Sequence, residues 1–596
     1  MFFKNITNFF KQHLDLIFIS LMGVFSFWLM FSTFGYQDGY FVIDSKLYSD
    51  FGAHLPLIRS FSFGDNFPRP EYPFYHGEPI RYHYLFYLLV GWLERLGVNL
   101  AFALNFLSSL GFWLLLVMIY KLARLFFKKS LAGILAVVLF LFNGSFSWVE
   151  YFNRHGLSLT SLLEIPKQTQ FASFGPWSGQ LVSAFWSLNI YTNQRHLGLS
   201  HGLMLWLVYL VAKTLPWHKG GLTISLVQKS RFKLKLTPLP LCLQLAVVLT
   251  LGLFPLLHQA AYVMFGIFFI SWVAIYSRYY LRQKRLTIKY FLPFGVGGVL
   301  SLFTFYFFTN GSGQEIVRAV GYLSPDKTGL GLVRYWWYNL GLYLLIWPVL
   351  LFWFLKKKNV FLAIFSFYFL VANLARLSPD MINNHKLVNM FVIGLNTFVA
   401  GGIVLIKNFR LKVKNCNKKC SLAIDKIKNL MLAVVVFFLM AGGLVDIWPI
   451  LNDQTGKLPD YPRSPVMRLV LKRTEPNAQV LSNIYFYNPA SLVGRQLYLD
   501  YGYFSWSMGY NDTQKRADLR LLFSPKLDRL TWCRLVKKHG IDYVLLDPRL
   551  APIESGRIKV RQSWLVREVR PDFTSTDGWQ LWRVEKICGN FNFKDQ

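Results

Sequence analysis

The chain has 596 residues, 54% of them hydrophobic, 18% aromatic and only 16% charged, which excludes a water-soluble globule of ordinary make-up and marks a polytopic membrane protein. A formal net charge of +34 would suit a nucleic-acid binder only if it formed a basic face on a soluble domain, whereas here the Lys and Arg residues lie between apolar runs. The five cysteines have no metal-ligand spacing: Cys416 and Cys420 read as free thiols in a basic loop, and Cys533 and Cys588 are open to a disulfide if their part of the chain is extracytoplasmic.

Runs of the length that crosses a bilayer, about 20 residues, are predicted near 14–35, 103–123, 131–149, 197–214, 239–257, 260–277, 290–309, 337–355, 359–375, 387–406 and 429–447. This makes about eleven spans. The first has no small-residue cleavage site and should remain as an anchor. Basic clusters at Lys4 and Lys11, Lys121 to Lys129, Lys229 to Lys235, Arg278 to Arg285, Lys356 to Lys358 and Lys407 to Lys428 then all fall on one side. Asp38, Asp44, Asp50, Asp65, Glu71 and Glu78 fall on the other, in the loop 36–102. Short cytoplasmic loops gather cations, so the N-terminus is expected inside and the C-terminus outside. The segment "YHYLFYLLVGWLERLG", 82–97, is too short and too charged at its end for a span, and it reads as an aromatic amphipathic helix in the outer interface.

From 448 to 596 the composition turns polar and mixed, which sets a small extracytoplasmic α/β domain after a membrane domain of residues 1–447. Strands are predicted in "AQVLSNIYF", "RQLYLDYGYF" and "DYVLLDP", and a helix closed by Gly540 in "SPKLDRLTWCRLVKKHG". The fold class is therefore mainly α, polytopic, with interfacial helices in the first outer loop. The stretch "NPASLVGRQLYLDYGYFSWSMGY" is dense in Tyr, Trp and Gly, as carbohydrate-contacting surfaces and sheet edges both are, and it is expected to cover the site or handle an acceptor.

Chemistry concentrates in the outer loops. Asp50 and His54 are four apart and share a face on a helix, with Asp44 and Arg59 within a turn or two. A carboxylate held at the membrane surface, partly desolvated, can act as a general base toward a hydroxyl; the plain alternative is a set of loop residues that do nothing but meet water. Outer-facing cations are Arg195 in "TNQRHLGLSHG", Arg376, and Lys386 in "RLSPDMINNHKLVNMF". Positive groups of this kind stabilise a developing anion in a poorly hydrated site, or else snorkel to the interface. His258 stands at the end of a span, either as a helix-end residue or as part of a cleft. Hard oxygen ligands near Asp44, Asp50 and His54 would accept a divalent cation, and nothing in the sequence requires one, so the metal is left unknown.

The order of one span, a long outer loop with an early acid, Gly77-Glu78-Pro79 and then the aromatic helix Tyr82 to Trp92 resembles the GT-C superfamily of polytopic glycosyltransferases, most of all its aminoarabinose and mannosyl transferase branch. "GEPIRYHYLFY" and "GLFPLLHQAAY" are similar to segments of uncharacterised tyrosine-rich bacterial membrane proteins regarded as distant members. The resemblance covers roughly residues 10–410, and it departs from relatives with adjacent acids, since Asp50 here stands between Ser49 and Phe51; Asp44 is the substitute base.

What the resemblance implies is transfer of a sugar, with inversion, from a polyprenyl-phosphate donor to an acceptor hydroxyl of a glycan, lipid or protein at the outer face of the cell membrane. Asp50 or Asp44 would be the base. Lys386, with Arg195 or Arg376, would hold the phosphate, and His54, Tyr82, His83, His258 and His385 would line the substrate cleft. Membrane lipid is the other expected partner; nucleic acid is not expected. The competing readings are a transporter or lipid flippase, which would set its charges at mid-membrane on broken helices, and a non-catalytic assembly protein.

Overall fold

The computed structural model describes residues 2–81, 83–172, 186, 188–215, 217, 237–282, 284–309, 316–409, 418–547, 549 and 563–589. Tyr82, the basic cluster at 229–235 and Cys416 lie outside them. Among the described residues, five helices are long and apolar enough to cross a membrane: His13–Thr33, Leu100–Phe127, Lys284–Phe308, Met381–Asn408 and Ser421–Leu451. The apolar helices Ser130–Leu141, His196–Ala212, Leu241–Leu257, Gln259–Ile275 and Phe361–Leu374 also stand where spans are expected, but none is longer than 17 residues. At 1.5 Å per residue such a helix falls short of a core of about 30 Å. The long helices carry rows of exposed apolar side chains, such as Leu292, Val296, Val299 and Leu302 on Lys284–Thr309. A surface of this kind is stable where the solvent is lipid.

The expected span at 337–355 is not a single rod. Gly329–Leu340 and Tyr343–Lys356 meet at 96°, because Gly341 takes a positive φ of 55° with its α-carbon turned onto the Gly144 carbonyl, leaving no room for a Cβ. Elsewhere small residues bring helices together. A Cβ on Gly198 would come within 2.8 Å of the Phe112 amide and one on Gly202 within 2.9 Å of the Leu115 amide, so the small-xxx-small stripe of His196–Ala212 lets it lie directly on Leu100–Phe127.

The first loop is folded against both the membrane helices and the C-terminal part. After strands Phe34–Gln37 and Tyr40–Asp44 comes helix Tyr48–Ser62, which buries Phe51, Leu55 and Ile58 on one side. Helix Leu85–Arg95 crosses it at Gly91, where a Cβ would lie 2.8 Å from the Ile58 carbonyl. With 11 residues this second helix cannot span, and it leaves Leu89 and Trp92 exposed while burying Phe86, Tyr87 and Val90, as an interfacial helix should.

Strand Thr455–Pro459 pairs antiparallel with Tyr40–Asp44, stitching the segment after the last long helix onto the first loop. Beyond it, a five-stranded sheet runs in the order Phe573–Thr574, Gln580–Arg583, Tyr543–Leu546, Gln479–Ser482, Gln496–Leu497. The strands expected from the three apolar segments are Gln479–Ser482 and Tyr543–Leu546 in its interior and Gln496–Leu497 at one edge. The expected helix is Arg529–Lys538, capped by Asp528 and closed at Gly540 with φ +65°. Cys533 and Cys588 form a disulfide.

Candidate functional site

Where the first loop, the helix ends and the C-terminal part converge, they enclose a cavity of about 560 Å³. Its floor is one face of helix Tyr48–Ser62: Ser49, Asp50, Ala53, His54 and Leu57 all line it, and these are the positions that a 3.6-residue period brings to a single stripe. The opposite stripe is the buried apolar one, so the helix is oriented by its own amphipathicity. A second wall comes from Asn189, Asn193, Gln194 and His196, and a third from Asn383 and His385 at the head of helix His385–Asn408. Phe486, Tyr501, Tyr503 and Phe504 supply the fourth, aromatic wall. Tyr501, Tyr503, Phe504, Ser507 and Met508 of the tyrosine-rich C-terminal stretch thus line one side of the cavity.

Asp50 accepts a hydrogen bond from Gln194 Nε2 at 3.1 Å. Burial pushes its carboxyl up to about 6, with the Gln194 bond and the Lys386 charge pulling the other way. Lys386 is 2% exposed, in the first turn of its helix, and interacts electrostatically with Asp50 and with Asp380. It is not in the cavity lining, which its chain neighbour His385 joins.

Asp44, at the end of its strand, is buried outside the lining. Burial and the nearby Asp453 carboxylate raise it to about 7, and Arg195 opposes the shift. Arg195 is fully buried, donating to Thr33 Oγ1 at 2.8 Å and to the Met30 carbonyl at 3.2 Å. It braces the end of the first long helix instead of facing the cavity. Arg376 lies in a short strand, Ala375–Arg376, paired with Val317–Arg318, and also stands apart from the lining.

The histidines converge more closely than their sequence positions suggest. His54 lies 4.9 Å from the Tyr87 ring, and the Tyr87 hydroxyl meets His196 Nδ1 at 2.8 Å. The His83 ring is 4.1 Å from that of His196 and 4.6 Å from that of His258. Burial drives His54 down to about 3 and His83 well below the ordinary range, so both imidazoles are neutral at pH 7. His54, His83, His196 and His385 line the cavity; His258 packs behind them as the cap of helix Gln259–Ile275, its Nδ1 accepting from the Ala261 amide at 3.0 Å. Asp44, Asp50 and His54 do not form a metal-sized group, whereas among the described residues His83, His196 and His258 do.

Sequence reasoning missed Gln194, Lys46 and His201. Gln194 directly precedes the flagged Arg195, and Lys46 lies between the two flagged acids, lining the cavity and pairing with Asp453 at 2.8 Å. His201 is one helical turn and a residue beyond His196, and its ring lies 5.9 Å from that of His258.

No protein-family model and no curated protein matches the chain. Among solved structures it is similar to ArnT from Cupriavidus metallidurans bound to undecaprenyl phosphate, at 10% identity and a TM-score of 0.46 over 97% of this chain and 98% of that one. The apo state of the same protein gives 11% identity and a TM-score of 0.45 over 96% and 98%. The archaeal oligosaccharyltransferase AglB from Archaeoglobus fulgidus, in complex with an inhibitory peptide and a dolichol-phosphate, is similar at 11% identity and a TM-score of 0.39 over 90% of this chain and 70% of that one.

Proposed function

We propose that the chain is a membrane glycosyltransferase that moves a sugar from a polyprenyl-phosphate donor to an acceptor hydroxyl. The observation that carries the reading is the placement of Asp50: a half-buried carboxylate on the floor of a 560 Å³ cavity, with the buried Lys386 ammonium acting on it electrostatically from outside the lining. An acid on such a floor with a buried cation acting on it suits a displacement in which a proton is taken up while negative charge is released nearby. The aromatic wall of Tyr501, Tyr503 and Phe486 offers ring faces to a sugar or a prenyl chain.

In this reading the acceptor oxygen forms a bond to the anomeric carbon as its proton passes to Asp50. The bond from that carbon to the phosphate oxygen breaks, and its electron pair leaves with the prenyl phosphate, whose charge the field of the buried Lys386 favours. A single displacement inverts the anomeric centre. The neutral imidazoles of His54 and His83 supply polar contacts without adding charge. The basic clusters favour an N-terminus in the cytoplasm and a cavity outside, and the Cys533–Cys588 disulfide suits an oxidising side for the C-terminal part, 448–596.

The test is transfer in vitro from a panel of polyprenyl-phosphate sugars, comparing the parent with Asp50→Asn and Asp44→Asn. Loss with Asp50→Asn alone supports the assignment. Loss with Asp44→Asn alone moves the base to Asp44, and indifference to both with an active parent removes the carboxylate from the mechanism.

A further inference from the structure

We propose that His83, His196 and His258 bind one divalent transition-metal ion, of which Zn²⁺ is the reference case, at the inner end of the cavity. Three separate elements deliver the three rings: the loop before helix Leu85–Arg95, the first residue of helix His196–Ala212, and the junction between Leu241–Leu257 and Gln259–Ile275. All three side chains are at most 1% exposed, and one ligand atom from each lies within 4.8 Å of the others. Imidazole nitrogens suit Zn²⁺ and its neighbours, whereas Mg²⁺ and Ca²⁺ demand oxygen.

Two ring nitrogens of the cluster, His196 Nε2 and His258 Nε2, are buried and have no hydrogen-bond partner among the described residues, a costly state for a polar atom in a packed interior. The other ring nitrogen of His196 is occupied in the way that a metal-binding histidine's usually is, and that of His258 is held by a helix amide. His196 Nδ1 meets the Tyr87 hydroxyl at 2.8 Å; with the proton on Nδ1, the Nε2 lone pair is free to ligate. His258 Nδ1 accepts the Ala261 amide proton at 3.0 Å, which leaves its own proton on Nε2. On metal binding that N–H bond breaks, an N–metal bond forms, and the proton leaves to the buffer. The resulting imidazolate stays bonded to the amide at the positive end of helix Gln259–Ile275, where an anion is favoured.

Zn–N bonds of about 2.0–2.1 Å place neighbouring ligands about 3.3 Å apart in a tetrahedron, so the rings draw together by roughly an ångström when loaded. Three protein ligands leave a fourth position, as in catalytic zinc sites. Because His83 and His196 both line the cavity, that position faces it. This site is distinct from the oxygen-rich one expected around Asp44, Asp50 and His54, and it stands or falls independently of sugar transfer.

The experiment uses the full chain in detergent with any affinity tag removed, stripped with chelator and dialysed against Zn²⁺ or Co²⁺. The parent should retain one ion per chain, show the intense visible absorption of four-coordinate Co²⁺, and melt at a higher temperature with Zn²⁺ than after chelation. His83→Gln and His196→Gln should each abolish the Co²⁺ bands, and His155→Gln, remote from the cluster, should keep them. A parent that takes up no ion and gains no thermal stability with Zn²⁺ overturns the proposal whatever the variants do. So does uptake by the double His83→Gln, His196→Gln variant equal to that of the parent. Neither readout requires donor or acceptor, so a failure here and a failure of the transfer assay remain separate results.

Discussion

The Tyr503 hydroxyl donates a 2.8 Å hydrogen bond to the Asp380 carboxylate, tying the aromatic wall contributed by the C-terminal part to the loop that leads into Lys386. Asp380 also accepts the Ile382 amide at the start of the short turn Met381–Asn384. The same carboxylate thus positions the head of helix His385–Asn408 and holds one edge of the cavity. Tyr503→Phe removes the bond and keeps the ring. Because Tyr503 is 46% exposed, solvent replaces part of what is lost, and the expected effect is a rise of about two- to tenfold in donor KM with a smaller change in kcat. Michaelis kinetics of the transfer reaction check it; an unchanged KM separates the wall from substrate binding.

Asp50→Asn should lower kcat by about 10²- to 10⁴-fold, the range of a general base, while leaving the helix Tyr48–Ser62 intact, since Asn preserves the shape that meets Gln194. Asp44→Asn, outside the cavity lining, should retain activity within about tenfold. Initial rates at saturating donor discriminate the two.

With the Asp50 carboxyl raised by burial to about 6, the base is ionised at pH 7 and protonated below about 6. The transfer rate should therefore fall by about tenfold per pH unit on the acid side of that value. A pH profile of kcat/KM measures it, and a profile flat down to pH 4 would assign the proton elsewhere.

Asp500 is buried at the start of the Tyr501-bearing segment, with Oδ1 accepting the Tyr485 amide at 3.1 Å and Oδ2 unpartnered among the described residues. Burial lifts its carboxyl to about 8 against amide bonds that pull it down. An acid whose folded value exceeds its unfolded one, about 3.9, favours the fold when protonated; its contribution is lost progressively as pH rises from about 4 to 8. Asp500→Asn should remove this dependence, raising the melting temperature at pH 8 relative to the parent and not at pH 4. Thermal melts at the two pH values decide it.

Arg59 lies between two carboxylates, at 3.0 Å from both Glu94 and Asp460, with all three side chains at most 7% exposed. Glu94 belongs to the interfacial helix and Asp460 to the C-terminal part, and Asp460 also takes the Tyr36 hydroxyl. Arg59→Met strands two buried acids, at an expected cost of about 3–5 kcal/mol. Because the lost contacts join the first loop to the segment after the last long helix, limited proteolysis near 448–465 should accelerate in this variant. Unchanged cleavage would place the connection in the strand pairing alone.

The amino-acid order by itself determined the features that depend on near neighbours. Apolar run length specified where helices form, a four-residue spacing put Asp50 and His54 on one face, and a short charged end kept Leu85–Arg95 from spanning. The bend at Gly341 was hidden because hydropathy averages over a window, whereas a single positive φ against the Gly144 carbonyl breaks the rod. Tertiary structure alone decided that His83, His196 and His258, scattered over the chain, would meet, that Arg195 would turn away from the cavity to brace the first long helix, and that the tyrosines after 500 would form a wall opposite Asp50. Periodicity constrains which residues share a face of one element. Which faces come together depends on packing between elements far apart in sequence, and no local pattern encodes those contacts.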